Sequence, residues 1–163
     1  MQRAFVIILA AGVGAWLGAM VLLSFAVAPM AFASLESRHQ AGDLVGRTLN
    51  ILYLSGYILG PTLVLVSVLA RPLAWPLLWR IRTILLILMT AATLVAREFV
   101  GQKLLSLRLA MGNMIEHSPV GDPLRLLFQQ WHQASVLLMF FNIVAAAVVI
   151  LLLSYEGYSE SQG

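Results

Sequence analysis

Long stretches with few or no charged residues dominate the chain, and polar segments separate them. A helix needs about 20 mainly apolar residues to cross the hydrocarbon core of a bilayer. Residues 4–35 contain no charge at all, which is enough for one such helix with length to spare. The pattern predicts four membrane-spanning helices. Their approximate bounds are residues 5–28, 48–70, 81–99 and 134–154.

The segment between the third and fourth predicted spans remains helical in its pattern but becomes more polar. Apolar residues recur at steps of three and four on both sides of a predicted turn at 118–122. We expect Asp122 to cap a helix that has Pro123 at its first position. Two matching apolar seams around a short turn predict an antiparallel helical hairpin outside the bilayer, at about 101–133. The predicted fold class is therefore all-α, a four-helix transmembrane bundle with this hairpin, in a single domain over residues 1–163.

The composition supports a membrane protein. Hydrophobic residues make up 61% of the 163 residues and charged residues 10%, whereas soluble proteins carry about 25% charged residues. The net charge of +3 is small and spread along the chain, so no nucleic-acid surface is indicated and the lipid bilayer is the expected partner. The absence of cysteine excludes disulfides and thiolate chemistry.

Four spans place both termini on one side of the membrane. Lysine and arginine are divided four to six between the two sides, but the dense charge of the short 71–82 connection favours termini inside. The expected location is a bacterial inner membrane. We expect Arg80 and Arg82 to extend toward the membrane surface from one end of the third span. The residues from Tyr155 onward are expected to form a short polar tail.

Small residues spaced four apart occur as three glycine pairs. Such pairs let helix backbones approach closely, either within the bundle or in a homo-oligomer. The pairs are Gly14 and Gly18, Gly42 and Gly46, and Gly56 and Gly60.

Several polar residues fall within or beside the predicted spans, and His132 shares a predicted helix face with Ser135, Met139 and Asn142. Ionisable groups at this depth are candidates for function unless they only fix the register of packed helices. The functional interpretation is a polar bundle interior, entered from the hairpin side, that binds a substrate. Its predicted lining is Arg47, Asn50, Tyr53, Tyr57, Arg97, Glu98, His132, Ser135 and Asn142.

A metal or haem site is the alternative, because neutral imidazole is a common metal ligand. His132 would be the ligand within the membrane, and Met111, Met114 and His117 form a weaker soft-metal candidate in the hairpin. Apart from this alternative, the sequence indicates no cofactor. No nucleophile elbow or phosphate-binding loop is present, so no catalytic residue is assigned and an enzyme is not expected.

Short motifs in the chain resemble those of the transmembrane protein 205-like family. The similar segments are Trp16–Gly18, Pro29–Leu35, Ala41–Gly42, Ala96–Arg97 and Phe128–Ser135. The resemblance implies a small four-span membrane protein with no established enzymatic activity. It also implies a link to resistance, because animal members of that family are associated with resistance to platinum drugs.

The chain departs from the animal pattern of that family at three points. It has no cysteine, Glu36 stands where a proline is common, and Met139 stands where an asparagine is placed.

The leading functional hypothesis is a non-enzymatic role in transport or membrane stress. A second alternative is a scaffold whose hairpin docks a partner protein.

Overall fold

A computed structural model describes residues 2–71, 76–111 and 122–160. Within these ranges all regular structure is helical, and no strand occurs, which confirms the predicted all-α class. The α-helices are α1 (Gln2–Leu22), α2 (Ala28–Ser34), α3 (Arg38–Leu69), α4 (Pro76–Val95), α5 (Gln102–Ala110) and α6 (Pro123–Glu160). Two π-helical segments, Leu23–Val27 and Ala96–Gly101, join α1 to α2 and α4 to α5.

These elements form four long helices that could each cross a membrane by length and composition, namely Ala4–Ser34, Arg38–Leu69, Pro76–Ala110 and Pro123–Glu156. Each long helix packs against its neighbours along the chain, and α6 returns to pack against α1. The result is a closed four-helix bundle of the up-and-down kind.

The helices run further than the apolar stretches that predict them. α3 begins at Arg38, where the Ser37 hydroxyl accepts hydrogen bonds from the backbone N–H groups of His39 and Gln40. Such an N-cap supplies partners for two N–H groups that have none within the helix. At the other end of the chain, α6 continues to Glu160, so the first six residues of the expected polar tail, 155–160, extend the fourth helix.

The limbs of the predicted hairpin are extensions of the third and fourth spans. α5 continues α4 through a π-helical segment and packs against α6. α6 begins at Pro123, and the Asp122 carboxylate accepts a hydrogen bond from the Leu124 N–H at 2.7 Å, which confirms the predicted cap. The turn between the limbs lies outside the described residues, as do Met114 and His117.

Pro29 stands two residues after the end of the first π-helical segment. A proline inside a helix lacks an N–H group, and its ring collides with the carbonyl group four residues earlier. That earlier residue is Phe25, which lies in the π-helical segment Leu23–Val27. The wider turn of this segment therefore coincides with the position where Pro29 disturbs a regular α-helix.

The three glycine pairs have different surroundings. Gly56 and Gly60 are buried, and a Cβ atom would lie 3.0 Å from Thr93 Cγ2 at Gly56 and 2.6 Å from Thr90 Oγ1 at Gly60. This pair allows α3 and α4 to pack closely. Gly14 and Gly18 have no neighbouring atom within 4 Å of such a Cβ, so they do not serve as packing contacts within the chain.

Candidate functional site

A cavity of about 470 Å³ opens at the hairpin end of the bundle. It lies between the first turns of α3, the π-helical segment Ala96–Gly101, α5 and the start of α6. Its charged lining residues are Asp43, Arg47, Arg97, Glu98 and Arg108. The cavity therefore has a polar side on α3 and on the junction of α4 with α5.

A connected network of polar side chains occupies the inner edge of this cavity. The Tyr57 hydroxyl donates a hydrogen bond to Glu98 Oε1, and Arg97 Nη1 donates to the same oxygen at 2.8 Å. Arg97 Nε also donates to Asn50 Oδ1 at 3.2 Å. Gln102 Nε2 donates to Glu98 Oε2 at 3.0 Å. The network thus joins α3 to the π-helical segment. Within it, Arg97 and Glu98 compensate each other's charge.

The π-helical segment positions two adjacent residues against the same neighbour. Both Arg97 and Glu98 contact α3, and the Arg97 guanidinium carbon lies 4.9 Å from the centre of the Tyr57 ring. Consecutive residues of a regular α-helix point about 100° apart, so they share one neighbour less readily. π-Helical turns are frequent at functional sites.

Arg47 lies at the rim of the cavity and not in a buried interior. Its side chain is 79% exposed and forms an ion pair with Asp43, one turn earlier on α3, at 2.9 Å. An exposed pair of this kind contributes little to stability. Arg47 is therefore a lining residue at the exposed mouth of the cavity.

A short polar line continues inward from the cavity. The buried Tyr53 hydroxyl lies near the Ser135 side chain of α6, but it completes no hydrogen bond with any described residue. Further along α6, the buried Asn142 donates from Nδ2 to the Leu138 carbonyl at 3.1 Å. Asn142 Oδ1 has no partner among the described residues. These groups retain unused hydrogen-bonding capacity inside the bundle.

His132 does not belong to this inner line. Its side chain is exposed and stacks on Phe128, with ring centres 6.2 Å apart and planes 4° from parallel. Residues in an α-helix advance about 100° each, so His132 lies about 80° around α6 from Asn142, whereas Ser135 lies only about 20° away. The prediction that His132 lines the interior together with Ser135 and Asn142 is therefore wrong in its geometry.

A second polar cluster lies at the opposite end of the bundle, where the sequence indicated none. Arg82 of α4 is fully buried, and its Nη1 donates to the carboxylate of Glu156 in α6, which is 4% exposed. Arg82 also donates from Nε to Ser67 Oγ at 3.2 Å and from Nη2 to the Ala70 carbonyl at 3.4 Å. The expectation that Arg82 extends to the membrane surface is wrong. Ser67 and Glu156 come together at Arg82 only through the packing of three helices. No local sequence motif indicates such a contact.

The metal alternative gains no ligand set from the described part of the chain. Across residues 2–71, 76–111 and 122–160, no three His, Asp or Glu side chains converge in a way that could hold a metal ion. Met111 is described at the end of α5, but its suggested partners lie beyond the described residues.

Taken together, the four apolar helices and the polar cavity define a small multi-pass integral membrane protein. The family profile described as Domain of unknown function (DUF4149) matches residues 11–113, and the chain belongs to this family. The matched region includes both glycine-packed helices and the Arg97–Glu98 pair. The finer similarity to the transmembrane protein 205-like family is not established by this match. Comparisons with curated proteins and with solved structures found no match.

Proposed function

We propose that this protein is a non-enzymatic membrane protein that takes up an amphipathic or polar molecule through the cavity at the hairpin end, in a transport or membrane-stress role. The observation that carries the proposal is the network of Arg97, Glu98, Tyr57 and Asn50 at the inner edge of a cavity with apolar walls. Charged groups in a membrane protein are costly, and where they meet a cavity they commonly mark a substrate path.

The proposed path begins at Arg47 and Asp43 and continues past the Arg97 network toward Tyr53, Ser135 and Asn142. Unused hydrogen-bonding groups along its inner part support a polar substrate, because buried polar atoms are costly unless a partner satisfies them. The similarity to the transmembrane protein 205-like family supports a resistance role. The missing cysteines weaken any sulfur-mediated route for a metal drug.

A growth experiment tests the proposal. The chain is expressed in a bacterial host, which is then challenged with dodecyl sulfate, dodecyltrimethylammonium and a platinum complex. We expect the wild-type protein to raise the tolerated concentration of at least one compound severalfold. Leu104→Trp, which places a large ring in the cavity wall, should abolish the gain.

Leu109→Trp is the matched control, because Leu109 is an exposed apolar residue of α5 that does not line the cavity. Equal tolerance with and without the wild-type protein would contradict the proposed function.

We also propose a bacterial inner-membrane location with both termini in the cytoplasm, in a single domain. Reporter fusions at the C-terminus that are active only in the cytoplasm would support this orientation.

A homo-oligomer is proposed through the pair formed by Gly14 and Gly18, because their surroundings are open within the chain. Replacing both glycines by isoleucine should convert the oligomer to a monomer in light scattering; unchanged mass would remove this proposal.

A further inference from the structure

Arg108 is the cavity-lining cation without an ionic partner in the described part of the chain. The other two cations are paired, Arg47 with Asp43 at 2.9 Å and Arg97 with Glu98 at 2.8 Å. Arg108 forms neither a hydrogen bond nor an ion pair with any described residue. The three cations and two anions leave the cavity lining with one net positive charge, and that charge is concentrated at Arg108.

The position of Arg108 depends on a glycine. A Cβ atom at Gly42 would lie 2.7 Å from Arg108 Nη2, which is closer than such atoms approach in proteins. Any other residue at position 42 would therefore push the guanidinium group away. The side chain is half-buried, so its charge is less screened than that of a fully exposed arginine.

The rest of the cavity wall is largely apolar. Leu49, Leu104, Leu105 and Phe128 contribute to it. Glu98 follows Arg82 by sixteen residues, or about 24 Å along a helix, so the cavity and the buried Arg82 cluster are separated by most of the roughly 30 Å of a hydrocarbon core. An anionic group beside an apolar chain fits this combination of apolar walls and net positive charge.

We propose that Arg108 binds a phosphate group, and that the acyl chains lie against Leu104 and Leu105 where a phospholipid headgroup supplies that phosphate. The planar guanidinium fork matches phosphate oxygens with two parallel N–H···O bonds. The inference rests on the proposed function, since it names the ligand class of the same cavity. The phosphate has two possible sources, a phospholipid headgroup and free phosphate.

The test uses the purified full chain in dodecyl maltoside and calorimetric titration with three probes. These are dioctanoyl phosphatidic acid, dioctanoylglycerol with the same acyl chains but no phosphate, and inorganic phosphate. We expect phosphatidic acid to bind at least about tenfold more tightly than dioctanoylglycerol, because a charge-assisted contact is lost without the phosphate.

Two variants locate the contact. Arg108→Gln should weaken phosphatidic acid binding by about tenfold and leave dioctanoylglycerol binding unchanged. Lys103→Gln is the matched control, because it removes the same charge from the same helix at a position outside the cavity lining, and it should change binding by less than about twofold. Gly42→Ala keeps every charge but displaces the guanidinium group, so it should also weaken binding severalfold. Unchanged melting temperatures would show that each variant folds.

The outcomes separate the inference from the proposed function. Binding of inorganic phosphate as tight as that of phosphatidic acid, and equally dependent on Arg108, would support the phosphate site with free phosphate as its source. Equal binding of phosphatidic acid and dioctanoylglycerol, unaffected by Arg108→Gln, would overturn the inference while the cavity still takes up amphiphiles. Absence of binding by all three probes would overturn the inference; the proposed function fails separately if the wild-type chain gives no tolerance in the growth experiment.

Discussion

Arg82 and Glu156 form an ion pair inside the bundle, although they lie 74 positions apart in the sequence. The pair joins the first turns of α4 to the last turns of α6. Ser67 of α3 also accepts a hydrogen bond from Arg82, so three of the four spans meet at one guanidinium group. The Ser67 hydroxyl is in turn 2.8 Å from Thr83 Oγ1, which adds a further neighbour to the cluster.

Removal of one member of this pair should be strongly destabilising. A buried charge that loses its partner costs about 3–5 kcal/mol, so Arg82→Ala or Glu156→Ala should lower the free energy of unfolding by about that amount. The double variant Arg82→Met/Glu156→Leu should be much closer to wild type, because it removes both charges of the pair together. Unfolding in mixed detergent micelles provides the measurement. Arg80→Ala is the control, since Arg80 is exposed on the same helix; an equal loss in the control would contradict the role of the pair.

Close packing of α3 on α4 should depend on Gly60. Gly60→Ala places a methyl group 2.6 Å from Thr90 Oγ1 and should destabilise the bundle by about 1–3 kcal/mol through overpacking. Gly46→Ala, with no atom within 4 Å, should be neutral or slightly stabilising, because alanine is the better helix former. Thermal unfolding of the two variants checks the difference. If Gly60→Ala unfolds like Gly46→Ala, the helices tolerate a wider separation than the structure has.

The charge balance of the cavity gives a prediction with a definite sign. Glu98→Gln removes the carboxylate that neutralises Arg97 and leaves a second guanidinium group available beside Arg108. We therefore expect the affinity for dioctanoyl phosphatidic acid to rise severalfold, and the increase to shrink at high salt. Calorimetric titration at two ionic strengths measures both effects. A fall in affinity would mean that Glu98 acts chiefly by holding Arg97 in place.

Substitution of His132 distinguishes the metal alternative from the proposed function. His132 is exposed and contacts the ring of Phe128, so His132→Ala should leave the melting temperature within about 2 °C of wild type. Metal analysis and an optical spectrum are recorded on wild type and variant purified gently in detergent. We expect neither a stoichiometric metal nor a haem band. A metal or haem signal that disappears in the variant would favour a redox or metal-handling protein.

The sequence was sufficient for the membrane-spanning helices because their signal is local and strong. An uncharged run such as residues 4–35 has few structural alternatives in a bilayer. The cap at Asp122 was predictable for the same reason, since an acidic residue before Pro123 has a clear local meaning. The ends of the helices were less predictable, because a helix continues past the hydrocarbon core wherever caps such as Ser37 and buried side chains such as Glu156 support it.

The candidate site was only partly predictable. Arg97, Glu98, Tyr57 and Asn50 were selected as polar residues of the spans, and the structure brings them together through the π-helical segment. The rotation of His132 away from Asn142 follows from the 3.6-residue repeat over ten residues, and a shorter comparison with Ser135 conceals it. Arg108 of α5 and Gly42 of α3 meet only through tertiary packing, and the role of Arg82 depends on three distant partners. Such contacts carry no local signature in one sequence.

The uninterrupted course of α6 connects the two ends of the protein. Its 38 residues extend over about 57 Å, and its only proline in the described structure is Pro123 at the first position. Phe128 at the cavity and Glu156 in the buried pair therefore lie on one stiff rod, about 42 Å apart. A tilt of α6 at the cavity end would therefore move Glu156 at the other end. Glu156 is paired there with Arg82, which also bonds Ser67 of α3. A tilt of α6 about the membrane core would thus displace its two ends in opposite directions.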